Sequence, residues 1–350
     1  VLDDAVRIRL RSDVPFGAFL SGGVDSSSVV GLMSKHLSMP VNTFCIGFND
    51  PKYDESPFAA AAAKRFNTSH VMEKVEANMI SLWPMATYHC DQPHGDVSFL
   101  PTFKVSQLAA KKVKMVLTGD GADELFAGYD KYRDFFNDNT DMLSDYDFQI
   151  RYFDNISLFN EHSKSKLFSK KSKKTIKDLN VFNVIQPLFE KSKSMDRINQ
   201  ALYIDSMLLL PGNNLVKPDR MGMAASIENR APFLDYRMLS LAFSMPGNLK
   251  LKNGTTKYLY KKAVTPLIGE DLAYRKKQMF TVPVGEWFKT HLAEMCEDLL
   301  LSNLTKQREI FNYEYVASIL ESHQNGSENN TREIRALMAI EIWFREFFDN

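Results

Sequence analysis

The chain has 350 residues, 44% of them hydrophobic, which is enough for one large buried core or two modest ones. Lysine plus arginine and aspartate plus glutamate both total 43, so no net field marks nucleic acid or an acidic membrane as the partner. The three cysteines, Cys45, Cys90 and Cys296, form no CxxC pair and argue against a disulfide framework or a thiolate zinc site; no apolar run approaches the roughly 20 residues of a membrane span, and no signal-peptide layout opens the chain, so a soluble cytoplasmic protein is expected.

In chain order, "VLDDAVRIRLRSDV" begins at Val1 in the middle of a helical pattern, with Leu2, Val6 and Ile8 or Leu10 on one side, and a segment removed upstream is expected. "VPFGAFL", Val14 to Leu20, reads as a strand. Beyond the following glycines, Val29, Val30, Met33 and Leu37 recur at helical spacing. "VNTFCIGF" from Val41 is a second strand, and "DESPFAAAAAKRF" starts a helix at Ser56 and Pro57. "KKVKMVLTGDGADELFAGYDKY" turns from a Val-Leu strand into a helix through a Gly-Asp loop. Strands alternating with helices predict an α/β fold, a doubly wound parallel sheet, over residues 1–136.

From 137 to 200 aromatic and charged residues mix without clear period, and "SKSKLFSKKSKK", residues 163–174, holds six lysines in twelve positions. That tract is read as a solvated connection rather than an anion contact. Residues 201–350 are expected to be a mainly helical remainder, with "VASILESHQ" and "EIRALMAIEIWFREFF" as the plainest helices.

The stretch "SGGVDSS" carries the first chemistry. Gly22 and Gly23 let main chain approach a ligand, and the loop N–H groups with the next helix N-terminus offer partial positive charge to an anion. Hydroxyls of Ser21, Ser26 and Ser27 add donors for phosphate oxygens. Asp25 fits beside phosphates once a divalent cation stands between them. The Walker A lysine is missing, so this is not a site for moving a terminal phosphoryl group. Taken alone, a Gly-Ser turn capped by Asp25 or a serine remains the simpler reading.

"TGDGADE" sets Asp120, Asp123 and Glu124 at the carboxyl end of a strand, the edge where doubly wound folds bind ligands. Three acids there call for a cation, although Asp123 and Glu124 also suit the first turn of a helix. "KPDRMGMAASIENR" looks helical, with Glu228 placed to pair with Arg220 or Arg230; it either shapes the cleft or braces helix packing. Arg275, Lys276 and Lys277 by themselves read as a surface charge run. His70, His89 and His94 are too scattered for a metal cluster.

With these motifs in view, "SGGVDSS" after a strand resembles the pyrophosphate loop of the N-type ATP pyrophosphatases. "TFCIGFNDPKYDESPFAAAAAKRFNTSH", "DQPHGDVSFLPTF", "VLTGDGADELFAGYDKY", "KPDRMGMAASIENRAPFLD" and "YRKKQMFTVPVGEW" are similar, in order, to the motifs of the synthetase domain of glutamine-dependent asparagine synthetases. The resemblance covers nearly the whole chain, most weakly in the lysine-rich middle and the last forty residues. It implies ATP and Mg²⁺ as cofactors, with Asp25 and Asp123 sharing the metal. Leu20, Ile46, Thr118 and Gly119 join Ser21, Gly22, Gly23, Asp25, Ser26 and Ser27 as ATP-binding positions, and purine contacts are expected from strand-edge main chain. The resemblance makes Asp120, Glu124, Arg275 and Lys277 the catalytic candidates, with Phe280 completing the Arg-x-Lys-aromatic pattern. Asp120 stands where the family often has the longer Glu.

The implied reaction activates a carboxylate, for the family the side chain of aspartate, as an acyl-adenylate with release of pyrophosphate. Ammonia then displaces AMP to leave asparagine. A lysine at the α-phosphate would neutralise developing charge, and positioning would supply much of the rate. The family's N-terminal glutaminase domain, with its leading nucleophilic cysteine, is not in this chain, so an upstream domain or a partner subunit is expected to supply ammonia; a homodimer is also admitted. Two rivals remain: a related amidotransferase acting on a sugar acid or peptide carboxylate, and a non-catalytic ATP-binding module. A tRNA-thiolating relative would bring a reactive cysteine pair and a basic face, and neither is evident.

Overall fold

The computed structural model describes residues 1–137, 140–276 and 284–349. Its contacts divide the chain into two compact units, each assembled from three separate stretches. The first comprises Val1–Met79, Phe99–Ser144 and Pro187–Phe280; the second comprises Ile80–Ser98, Asp145–Gln186 and Thr281–Asn350.

The first unit is built on a five-stranded sheet of β1 (Phe16–Phe19), β2 (Asn42–Phe48), β3 (Ser69–Val75), β4 (Met115–Leu117) and β5 (Glu228–Arg230), ordered β3-β2-β1-β4-β5. All four pairings are parallel, and the register sets Ala18 beside Thr43 on one side and Leu117 on the other. This is the doubly wound α/β fold that the alternation of patterns predicts. Parallel strands must be joined by crossovers that cover the sheet, which is why β1 and β2 read as apolar runs.

Helix Val24–His36 connects β1 to β2, and helix Ser56–Arg65, with Pro57 in its first turn, connects β2 to β3. Val29, Val30, Met33, Ala59, Ala62, Met115 and Leu117 share one buried cluster. Val116 lies between those last two, equally buried but outside that cluster, as the two-residue period of a strand requires. Helix Phe99–Ala110 packs on β2 and against helix Val216–Ala224.

Sequence reading differs from structure at both sheet edges. β3 is exposed at Ser69, Glu73 and Lys74, so it shows no apolar alternation, and β5 has only three residues with none buried. "IENR" is therefore not helical: the helix ends at Ala224, Ser226 takes a φ of 60°, and Glu228 enters β5 through a hydrogen bond from its N–H to the Lys114 carbonyl. Glu228 pairs with Arg230 at 2.6 Å, two residues on along the same strand face.

The second unit is helical, with Trp83, Phe288, Cys296, Leu337 and Met338 among its buried residues. Within it the lysine-rich tract folds as helices Glu161–Leu167 and Lys170–Thr175, capped by the side chains of Asn160 and Ser169. Lys166, Lys170, Lys171, Lys173 and Lys174 are exposed, while Ser172 Oγ donates to the Ile310 carbonyl and anchors the tract. All three cysteines are free and buried. Among the described residues no helix is long and apolar enough to cross a membrane.

Candidate active site

The strand order reverses at β1, which pairs with β2 on one side and β4 on the other. In doubly wound folds the carboxyl ends of the strands at such a reversal are where ligands bind. Residues 20–23 follow β1 and residues 118–121 follow β4, so both sequence motifs lie at this edge. Gly119 sits hard against the first turn of helix Val24–His36: a Cβ on it would stand 2.8 Å from Asp25 Cβ and 3.1 Å from the Ser26 nitrogen.

Local hydrogen bonds shape the first loop. Ser21 N–H donates to Ser26 Oγ at 3.3 Å, the two hydroxyls lie 3.1 Å apart, and Gly23 N–H donates to Ser21 Oγ at 3.3 Å. Gly22 holds a φ of +70°, and a Cβ there would come within 2.3 Å of the Phe58 carbonyl carbon. Gly23 is the N-cap of the helix and has no side chain with which to cap it. A bare helix N-terminus with small hydroxyl residues around it can accept an anion. Ser27 Oγ, however, is fully buried in the helix packing.

Arg275 reaches this loop from far along the chain. Its Nε donates to the Gly22 carbonyl at 2.8 Å, its Nη2 to the Ser21 carbonyl at 3.4 Å and to Glu55 Oε1 at 2.6 Å, and its guanidinium lies 4.5 Å over the Phe58 ring. Holding carbonyls on one side turns the peptide N–H groups toward the other, so the geometry makes Arg275 a clamp on the loop backbone. Lys277 and Phe280 lie outside the described residues.

The second loop supplies the strongest feature. Lys257 Nζ lies 2.5 Å from Asp25 Oδ2 and 2.8 Å from Asp123 Oδ1, with only 3% of its side chain exposed. Burial works against this ammonium, but the charges of Asp123 and Asp25 outweigh it and hold the lysine pKa above its usual value. Lys257 also takes a left-handed φ of 53°, which costs a non-glycine residue of the order of 1 kcal/mol, and its N–H donates to the Phe126 carbonyl at 3.1 Å. Gly128 makes room for it: a Cβ there would stand 2.0 Å from both Asp123 Oδ1 and Lys257 Cε.

The remaining acids have separate surroundings. Burial raises the Asp120 pKa, Thr118 and Lys217 pull it down, and Asp123 and Asp25 push it up again, for a net rise. Glu124 is buried, and its Oε1 accepts from Tyr129 Oη and Asn214 Nδ2, both at 2.6 Å. Burial raises its pKa first and the charge of Asp123 adds to the rise. Leu20 and Ile46 are buried at neighbouring strand ends, with Leu20 N–H bound to the Phe44 carbonyl, and Thr118 N–H binds the Arg230 carbonyl.

Among the described residues no three His, Cys, Asp or Glu side chains gather as a metal cluster. Magnesium with a triphosphate needs only one or two carboxylates, since phosphate oxygens and water complete its octahedron. Asp25 and Asp123 already converge on one cation, so this donor pair fits such an ion.

Sequence reasoning did not single out Lys257, Gly128, Glu55, Tyr129 or Asn214. Lys257 stands in "TTKYLYKK", where nothing distinguishes it from Lys261 and Lys262. Only its contact with two distant acids does so.

The asparagine synthase family profile matches residues 1–345. The chain is 32% identical to glutamine-hydrolysing asparagine synthetase 1 of Bacillus subtilis, over 97% of this chain and 57% of that protein. It is 28% identical to a putative glutamine-hydrolysing asparagine synthetase of Mycobacterium bovis, over 100% of this chain and 57% of that protein. An amidase of Penicillium rubens is 26% identical over 81% of this chain and 52% of its own length. The chain thus spans a little over half the length of these curated relatives.

Proposed function

For this chain, which belongs to the asparagine synthase family, we propose an ATP-dependent amide-forming ligase that activates the side-chain carboxylate of aspartate and aminates it to asparagine. A carboxylate oxygen attacks the α-phosphorus of ATP, the bond to the bridging oxygen breaks, and pyrophosphate leaves. Ammonia then attacks the acyl carbon, and AMP departs as a proton is lost.

Ser21, Gly22, Gly23 and Ser26 form the phosphate loop in this reading, Ser27 backs it from the helix packing, and Arg275 keeps its carbonyls turned away. Leu20, Ile46, Thr118 and Gly119 border the nucleoside. Asp25 and Asp123 would hold Mg²⁺, and the ion would supply positive charge beside the departing pyrophosphate. Asp120, Glu124 and Lys277 complete the catalytic set, with Lys277 at the α-phosphate. A glutaminase domain or subunit supplies the ammonia, a second copy of the chain is the partner in a homodimer, and the reaction takes place in the cytoplasm.

One observation carries the reading: two carboxylates from separate crossovers converge on a single buried cation beside a glycine-serine loop. The test is pyrophosphate release with Mg·ATP and ammonia, comparing aspartate with other carboxylates. Aspartate-dependent release with asparagine as product is expected. ATP binding without pyrophosphate release for any carboxylate would instead leave a nucleotide-binding module. The amidase names of two fungal relatives favour a second reading, the same adenylation serving a different acceptor, in which another carboxylate outperforms aspartate.

A further inference from the structure

The ammonium of Lys257 touches both carboxylates assigned above to the metal, at 2.5 and 2.8 Å, and it is buried. A magnesium ion bound to both would need each oxygen at about 2.0–2.1 Å. Bound through Asp25 Oδ2 and Asp123 Oδ1, it would enter the gap the ammonium fills. Two cations cannot share that gap, because a monovalent and a divalent charge in contact at low dielectric repel strongly.

Lys257 is built to hold this position. Its backbone is pinned in a left-handed conformation by the Phe126 carbonyl, and Gly128 leaves space for its stem. Phe126 stacks on Tyr260, one turn along the helix that Lys257 caps, which fixes that helix start against the acidic loop. Its four-carbon stem carries the rotatable bonds through which the ammonium would have to move. An ammonium leaving two carboxylates needs another anion, and a triphosphate bound in the adjacent loop would supply one.

We propose that Lys257 is a placeholder: in the nucleotide-free protein its ammonium occupies the dication position between Asp25 and Asp123, and it yields that position only when phosphate oxygens are present to receive it. This rests on the reading of those two acids as metal ligands. Free divalent metal is then excluded, while metal and nucleotide enter together.

The test titrates Mn²⁺, followed by its paramagnetic resonance signal, into wild type and Lys257→Met, each with and without a non-hydrolysable ATP analogue. Wild type is expected to bind Mn²⁺ weakly alone and tightly with the analogue. Lys257→Met is expected to bind Mn²⁺ alone at least about tenfold more tightly than wild type does. Lys257→Gln, which keeps a polar end and loses the charge, should behave the same way and replaces the methionine variant if that one fails to fold. Equal Mn²⁺ affinity of wild type and variant without nucleotide overturns the placeholder and leaves the ligase reading intact. Absence of Mn²⁺ binding even with the analogue overturns the metal assignment and the placeholder together, while pyrophosphate release reports on the ligase reading separately.

Discussion

Gly22 is irreplaceable for two independent reasons, a φ of +70° and the Phe58 backbone where its Cβ would be. Gly22→Ala is expected to lower unfolding free energy by about 1–3 kcal/mol and to weaken nucleotide binding, read from urea melts and nucleotide titrations. An unchanged midpoint with unchanged affinity would remove the close-approach argument. Arg275 touches two carbonyls and a carboxylate through one planar group, which an ammonium cannot reproduce. Arg275→Lys is therefore expected to weaken ATP binding roughly tenfold, while far-UV circular dichroism stays that of the wild type. The glycines and serines of the loop were legible in the sequence because they act on neighbours a few positions away. Lys257 was not, since its partners come from two loops far upstream and a lysine among lysines carries no local mark.

Secondary-structure elements were legible where burial is one-sided or complete. The helices Val24–His36 and Ser56–Arg65 and the strands β1, β2 and β4 announce themselves by apolar spacing and by Ser-Pro and glycine punctuation. β3 and β5 do not, because ladder hydrogen bonds to a neighbour already in place, rather than side-chain burial, make them strands. Lys250 is a further case: it is fully buried between the short turn Gly247–Leu249 and helix Arg197–Ile204, its Nζ 2.7 Å from Asn199 Oδ1 and 4.8 Å from the Phe243 ring centre. Burial lowers its pKa to about 8, with Asp196 opposing the shift. Between that value and the unfolded pKa near 10.4 the unfolded chain holds the extra proton, so this group's contribution to stability rises with pH across about pH 8–10. The stability of wild type relative to Lys250→Met should accordingly grow by roughly 1–3 kcal/mol from pH 7.5 to pH 10, measured by urea unfolding at each pH. A difference flat in pH would mean that the amine keeps an ordinary pKa.

Across the whole molecule, the chain enters each compact unit three times. Residues that meet at this sheet edge come from all three stretches of the first unit: Asp25 and Glu55, then Asp123 and Tyr129, then Asn214, Lys257 and Arg275. Ligand binding there should stabilise the fold as a whole. At a hundredfold excess over its dissociation constant, Mg·ATP is expected to add about 2.7 kcal/mol, seen as a higher thermal midpoint. Asp25→Asn with Asp123→Asn should abolish that rise, and a double variant that still responds fully would move the metal elsewhere. The sequence by itself determined the parallel α/β core and the two loops at its edge, because periodicity, glycine and adjacent polar groups act over a few residues. Only the tertiary structure decided which cation stands between the two carboxylates, because an ammonium becomes a shared, buried partner when folding carries it across the chain to oxygens that repel each other without it.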